Sequence, residues 1–223
     1  NIFIQSLDPE VRFPDEDFLI FEKLLNKGSS VLNIGALHGA TAFFMSKLGA
    51  ENIVSVEPNP DFHDILKNLE IKNHKILHLG LSNKVGYGYL YCPVAHPGRA
   101  NILEKRELAT KIFGIKIDTI DNLKLNYFNY WKIDVEGSEL KIIEGAYHTL
   151  EKSPPDIIQV EASDKNINEL VGILSKFNFF AYTCQVDHNF SMRFFDFEKN
   201  MRPWKTLKTK IMVFSRIELK EKE

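Results

Sequence analysis

The amino-acid sequence predicts an α/β domain, a mostly parallel sheet with helices on both faces, and three observations predict it. Strand-like and helix-like segments alternate through most of the 223 residues. Short strand-like runs, such as the apolar residues 31–34 before Gly35 and the mixed residues 131–135 before Glu136, stop at glycine or acidic residues. The last two strand-like segments, residues 179–184 and 211–217, have no clear helix between them, which suggests an antiparallel closing pair.

Each element has its own signal. Pro14, Asp15, Glu16 and Asp17 suit a helix start, with negative charge at the positive end of the helix dipole. Phe18, Phe21, Leu24 and Leu25 form its apolar stripe, and Gly28 ends it. The strand over residues 31–34 is followed by a helix over 40–48 and a second strand over 52–57. Pro60 opens a helix carrying Phe62, Ile65, Leu66 and Leu69, and residues 75–79 form a third strand. Residues 86–91 alternate with period two, placing Tyr87, Tyr89 and Tyr91 on one face of an accessory strand. Residues 131–135 form the fourth parallel strand. The next helix, carrying Leu140, Ile143, Ala146 and Leu150, is stopped by Pro154 and Pro155. A fifth strand spans 156–161, and Ile167, Leu170, Leu174 and Phe177 mark another helix. The expected organisation is a single domain over 1–223, with a helical segment over 1–28 and a core over 29–223.

Composition narrows the function classes. The chain is 44% hydrophobic and 26% charged, an ordinary globular balance. A net charge of −2 argues against a nucleic-acid or membrane-surface partner. Lys205, Lys208 and Lys210 read as a solvated strand edge. The two cysteines, Cys92 and Cys184, are not in a C-x-x-C pair; both read as small buried hydrophobes, and a reducing cytoplasmic setting is expected. No apolar run reaches the ~20 residues needed to span a bilayer, and the first residues lack a signal-peptide pattern.

Two segments carry chemistry. In Val31-Leu32-Asn33-Ile34-Gly35-Ala36-Leu37-His38-Gly39-Ala40, a strand runs into one glycine and a helix starts after another. The glycines permit a sharp turn and close ligand approach beyond the carboxyl end of the sheet. Glu57, followed by Pro58, lies 22 positions after Gly35, near the ~20 expected for an acid that accepts hydrogen bonds from ribose hydroxyls. The spacing is not G-x-G-x-x-G, which disfavours a pyrophosphate turn. Alternatively, Glu57 simply caps the Pro60 helix. The second segment is Lys132-Ile133-Asp134-Val135-Glu136-Gly137-Ser138-Glu139. Asp134 and Glu136 share a face if the strand extends through them, Ser138 suits a helix cap, and Glu139 suits a first turn. Asp134 between Ile133 and Val135 needs a partner.

With these segments, the sequence resembles the FkbM-type family of S-adenosylmethionine-dependent methyltransferases. The resemblance runs over residues 31–41, 54–59, 79–86, 117–123, 132–146 and 156–161, and the Lys132–Glu139 segment followed by Ile143-Glu144-Gly145-Ala146 is its most specific part. It implies a Rossmann-like class I methyltransferase sheet, seven-stranded and mostly parallel, with an antiparallel closing strand. It also implies S-adenosylmethionine as cofactor, with Asn33, Gly35, Ala36, His38, Gly39, Glu57, Pro58, Leu81, Ser82 and Asp134 around it. Asn33 departs from the family's usual Asp. The implied reaction is O-methylation of a hydroxyl on a saccharide or other small acceptor. Asp134, Glu161 and His96 are the candidate bases; His96 lies in a segment, residues 94–99, suited to a flap. Asp118 and Asp121 read as turn residues, and no metal site is expected. The alternatives are a methyltransferase-like binding module without turnover, which Asn33 favours, and a nicotinamide-dependent oxidoreductase, which the glycine spacing disfavours. An RNA methyltransferase is disfavoured by the near-neutral charge.

Overall fold

The computed structural model describes residues 16–93, 98, 100–102, 109–163, 165–186, 192–197 and 209–219. Its elements in chain order are α1 (Glu16–Leu24), β1 (Ser30–Ile34), α2 (Ala40–Lys47), β2 (Asn52–Val56), α3 (Pro60–Lys67), β3 (His74–Leu77), β4 (Gly80–Leu81), β5 (Gly86–Pro93), β6 (Ala109–Asp118), α4 (Ile120–Leu123), β7 (Tyr130–Ile133), α5 (Glu139–Glu144), α6 (Tyr147–Lys152), β8 (Ile157–Ser163), α7 (Ile167–Leu174), β9 (Phe180–Val186), β10 (Met192–Asp196) and β11 (Thr209–Ser215). A short 3-10 turn, Ser175–Phe177, follows α7.

The main sheet has the order β10-β9-β11-β8-β7-β1-β2-β3. Strands β3, β2, β1, β7 and β8 are parallel, and β11 is antiparallel to both β8 and β9. The expected seven strands are all there, from β3 across to β9. An eighth, β10, adds antiparallel to the outer edge of β9, from sequence that reads as irregular. The order reverses between β1 and β7, the place where open α/β sheets bind ligands beyond their carboxyl ends.

Alternation along the strands divides the core between two faces. Leu32, Ile34, Trp131, Ile133, Ile158 and Val160 pack toward residues of α5, α6 and α7. Val31, Ile53, Tyr130, Ile157 and Val213 pack toward Ile20 and Phe21 of α1 and Phe44 and Met45 of α2. Helices therefore cover both faces. Each fully buried Leu, Ile or Phe side chain contributes about 1.5–3 kcal/mol by leaving water, so this two-sided core holds the strand ends rigidly in register.

Strands β4, β6 and β5 form a separate three-stranded sheet. The tyrosine stripe of β5 is solvent-facing, with Tyr87 89% and Tyr89 62% exposed, while Leu90 and Cys92 turn inward. Strand β6 has no counterpart among the expected elements. The single helix expected after β7 is two, α5 and α6, broken at Gly145. A Cβ there would lie 2.1 Å from the Ser82 carbonyl oxygen, so close packing sets the break. Asp121 lies in the first turn of helix α4 rather than in a connecting turn, and its carboxylate accepts the backbone N–H groups of His148 and Thr149 and the Thr149 hydroxyl, clamping α4 to α6. Asp118 likewise accepts from Thr119 N and Asn122 Nδ2. Cys92 is buried, its thiol pushed up to about 11 by desolvation first and by Asp61 and Glu57 second; Cys184 is only half-buried, and both are free. Among the described residues, no helix is long and apolar enough to cross a membrane, and no cluster of metal-ligating side chains occurs. Lys205 and Lys208 lie outside the described residues.

Candidate active site

The turn after β1 is built by steric necessity. Gly35 has φ +82°, and a Cβ on it would sit 1.7 Å from the carbonyl oxygen of Asp134. Gly39 has φ +90°, and its Cβ would meet Leu69 and Leu66 at 2.2 and 2.8 Å. Both positions lie in the left-handed region that glycine tolerates. Their bareness admits a neighbouring strand end and the end of α3, a different reason from direct ligand approach. Gly35 and Ala36 donate their N–H groups to the Val56 carbonyl, binding the turn to β2.

Glu57 stands just past β2 and is 6% exposed. Its Oε2 accepts the Leu37 N–H at 2.7 Å and its Oε1 accepts the Asn59 N–H at 2.8 Å. The cap of α3 is Asn59, whose side chain accepts from Asp61 N, so the capping role is not Glu57's. Burial pushes the Glu57 carboxyl above its ordinary value; the two N–H bonds oppose that shift, and the Asp134 charge adds to it. An ionised carboxylate offers about four lone-pair sites, so each oxygen keeps acceptor capacity.

Glu57 forms one wall of a cleft beyond the carboxyl ends of β1, β2 and β7. Val56, Leu79, Leu81 and Leu90 line its apolar side, and Gly35, Asp134, Glu136 and Ser138 its polar end. At about 90 Å³ the cleft is smaller than the roughly 300–1,000 Å³ usual for small-molecule sites, so a nucleoside has to widen it. Of the residues the sequence put around a cofactor, Gly35, Glu57, Pro58, Leu81 and Asp134 line this cleft. Asn33 lies fully buried behind the turn, its amide bonded to Thr41 Oγ1 at 3.1 Å. Ala36 and Gly39 shape the turn from beneath. His38 is exposed to solvent, and Ser82 packs against Asn83 and Gly145. His96 lies outside the described residues.

Strand β7 ends at Ile133, two residues short of the expected boundary, so Asp134 and Glu136 do not share a strand face. The chain instead turns sharply, with Glu136 at φ +58° and Gly137 at φ +113°. Ser138 precedes α5 without capping it. Its buried Oγ has no partner among the described residues and borders the cleft. An unpaired buried hydroxyl is costly, and a ligand's polar group would satisfy it. Glu139 is buried in the first turn, where it accepts from Gly137 N and Asn166 Nδ2, and desolvation raises its carboxyl.

Asp134 also lines a second, polar pocket of about 140 Å³ with Asp17, Lys132, Gln159, Glu161 and Ile211. The pairing register places Asn33, Lys132 and Gln159 side by side on one sheet face. The Lys132 ammonium, 3% exposed, lies 2.8 Å from Asp134 and 3.2 Å from Asp17. Desolvation alone would lower its pKa, but these two carboxylates outweigh that and leave it raised. Burial likewise pushes Asp134 up, yet Lys132 and a hydrogen bond with Glu161 leave it below its ordinary value. Asp134 and Glu161, two of the candidate bases, are thus brought together. The sequence reading missed Lys132, Asp17 and Gln159. A lysine between Trp131 and Ile133 in a buried run was the available signal, since a buried charge demands a partner.

A family model, Methyltransferase FkbM domain, matches residues 33–182. The chain belongs to this family. The FkbM domain is similar in fold to the methyltransferase FkbM of Methylobacillus flagellatus KT, at 16% identity and a TM-score of 0.58 over 94% of this chain. It spans about half, 50%, of that protein's length. A TehB-like SAM-dependent methyltransferase from Corynebacterium glutamicum matches over 97% of this chain and 95% of its own, with 8% identity and a TM-score of 0.53. A precorrin-6y C5,15-methyltransferase from Geobacter metallireducens GS-15 matches over 90% and 86%, with 15% identity and a TM-score of 0.51. These likenesses establish a class I methyltransferase fold. No curated protein matches the chain.

Proposed function

We propose that the FkbM domain binds S-adenosylmethionine in the Glu57 cleft and methylates a hydroxyl on a saccharide or other small acceptor. The observation that carries this reading is the junction at Asp134, the residue shared by the Glu57 cleft and the polar pocket beside it. The family match, the acid at the tip of β2 and the buried Ser138 hydroxyl, which has no partner among the described residues, support it.

When bound, S-adenosylmethionine supplies an electrophilic methyl group, whose bond to sulfur breaks as the acceptor oxygen bonds to its carbon. Glu57 would hold the ribose hydroxyls on its remaining lone pairs, and Val56, Leu79 and Leu81 would give the adenine an apolar wall. Asp134 accepts the hydroxyl proton of the acceptor. Holding the reactants in line is worth roughly 7–11 kcal/mol, and a positioned base adds about 10²- to 10⁴-fold. The two free thiols fit a reducing, cytoplasmic setting.

Titration calorimetry with S-adenosylhomocysteine tests the first step, with micromolar binding expected. Transfer of a tritiated methyl group to a panel of saccharides and small alcohols tests the second. Asp134→Asn is expected to lower transfer by about 10²- to 10⁴-fold, beyond any change in S-adenosylhomocysteine affinity. Full transfer by that variant removes Asp134 as the base.

A further inference from the structure

The polar pocket contains a buried lysine that the proposed mechanism does not use. Lys132 is nearly enclosed and is held at 2.8 Å by Asp134 and at 3.2 Å by Asp17. Asp17 comes from α1, far from the cleft in sequence, and is fixed in turn. Gln159 donates to it through Nε2 and accepts from the buried Tyr130 hydroxyl through Oε1. The chain of contacts therefore runs Tyr130, Gln159, Asp17, Lys132, Asp134 and ends at Glu161, along one face of β7 and β8.

A lysine that only stapled α1 to the sheet would be packed shut. This one borders about 140 Å³ of open, mostly polar space, and its nearer partner is the residue that reaches the cleft. Asp134 is also faced by Glu161 from β8, by Glu57 beyond β2 and by Glu139 of α5. Among the described residues Lys132 is the one cation within ion-pair distance of Asp134, and without it the neighbouring charges of Glu57 and Glu139 push a proton onto that residue.

We propose that Lys132, anchored by Asp17 of α1, is a positioning residue that keeps Asp134 ionised and aimed at the junction of the two cavities. The N-terminal helix is then part of the acceptor side of the site as well as of the core. This inference rests on the reading of Asp134 as the base. Its physical content, the ionisation of Asp134, can be measured without any acceptor.

The experiment is a ¹³C NMR titration of the Asp134 carboxyl carbon, assigned with Asp134→Asn, in the wild-type chain, Lys132→Met and Lys132→Arg. An opposite charge at this range depresses an Asp by about 1–3 pH units. Lys132→Met is expected to raise the Asp134 midpoint by at least one unit, and Lys132→Arg to leave it low. If Lys132→Met does not fold, the double variant Asp17→Asn with Lys132→Met leaves no orphaned charge on Asp17 and has the same expected rise. An Asp134 midpoint unmoved in a folded charge-removing variant overturns the proposal. Calorimetry with S-adenosylhomocysteine on the wild-type chain runs alongside. Failure there tells against the methyl-donor reading while leaving the titration result standing.

Discussion

Replacing Glu57 by Gln keeps the shape of the side chain and removes its charge, and the geometry sets the consequence. The carboxylate accepts the Leu37 and Asn59 N–H groups at 2.7 and 2.8 Å in a nearly closed environment. An amide has one oxygen, so its NH₂ must face one of those two donors. A lost hydrogen bond to a charged group removes about 1.5–3 kcal/mol of stability. For a chain of this size each kcal/mol corresponds to about 2–4 °C, so the thermal midpoint is expected to fall by roughly 3–12 °C. Affinity for S-adenosylhomocysteine, measured by calorimetry below the new midpoint, is expected to fall at least tenfold, or about 1.4 kcal/mol. A lower midpoint with unchanged affinity would mean that Glu57 braces the two turns and holds no ribose. An unchanged midpoint and unchanged affinity would refute the reasoning altogether.

The same residue links pH to both properties. Its folded pKa is raised above the ordinary 4.5, chiefly by desolvation, so the fold binds this proton more tightly than the unfolded chain does. Glu57 therefore lowers stability as pH rises from 4.5 through its folded value, while ligand affinity, which needs the ionised carboxylate, is expected to rise across that window. Denaturant midpoints and calorimetry across the range would show opposite trends, and Glu57→Gln should flatten both; parallel trends would contradict the assignment. Gly145→Ala provides a packing test. Helix propensity predicts a gain of up to about 1 kcal/mol, but a Cβ 2.1 Å from the Ser82 carbonyl oxygen predicts a loss of about 1–3 kcal/mol. A higher melting temperature would show that this close approach is relaxed at little cost.

The parallel half of the sheet was legible because strands such as 31–34 and 157–160 are apolar runs bounded by turn residues, and the pattern reports burial on both faces directly. Strands β6 and β10 carry weaker signals. Strand β6 carries apolar residues on both faces, with Lys111 and Lys116 on opposite ones, in a separate sheet, and β10 pairs only at an edge. The site divides in the same way. The Gly35 turn and Glu57 are local features tied by strand order, so spacing revealed them. The contact between Asp17 and Lys132 joins residues more than a hundred positions apart, and no spacing rule reaches that far. Ser138 matched a cap by type and position, yet its hydroxyl borders the cleft and bonds to nothing described, a geometry that only the turn at Glu136 and Gly137 creates.

A crystal structure with S-adenosylhomocysteine bound tests the central claim most directly. The ribose hydroxyls are expected on the Glu57 carboxylate, the cleft widened around the nucleoside, and the sulfur facing the Asp134 junction. Nucleoside density elsewhere, or a Glu57 still bonded only to Leu37 and Asn59 while ligand occupies the cleft, would contradict it.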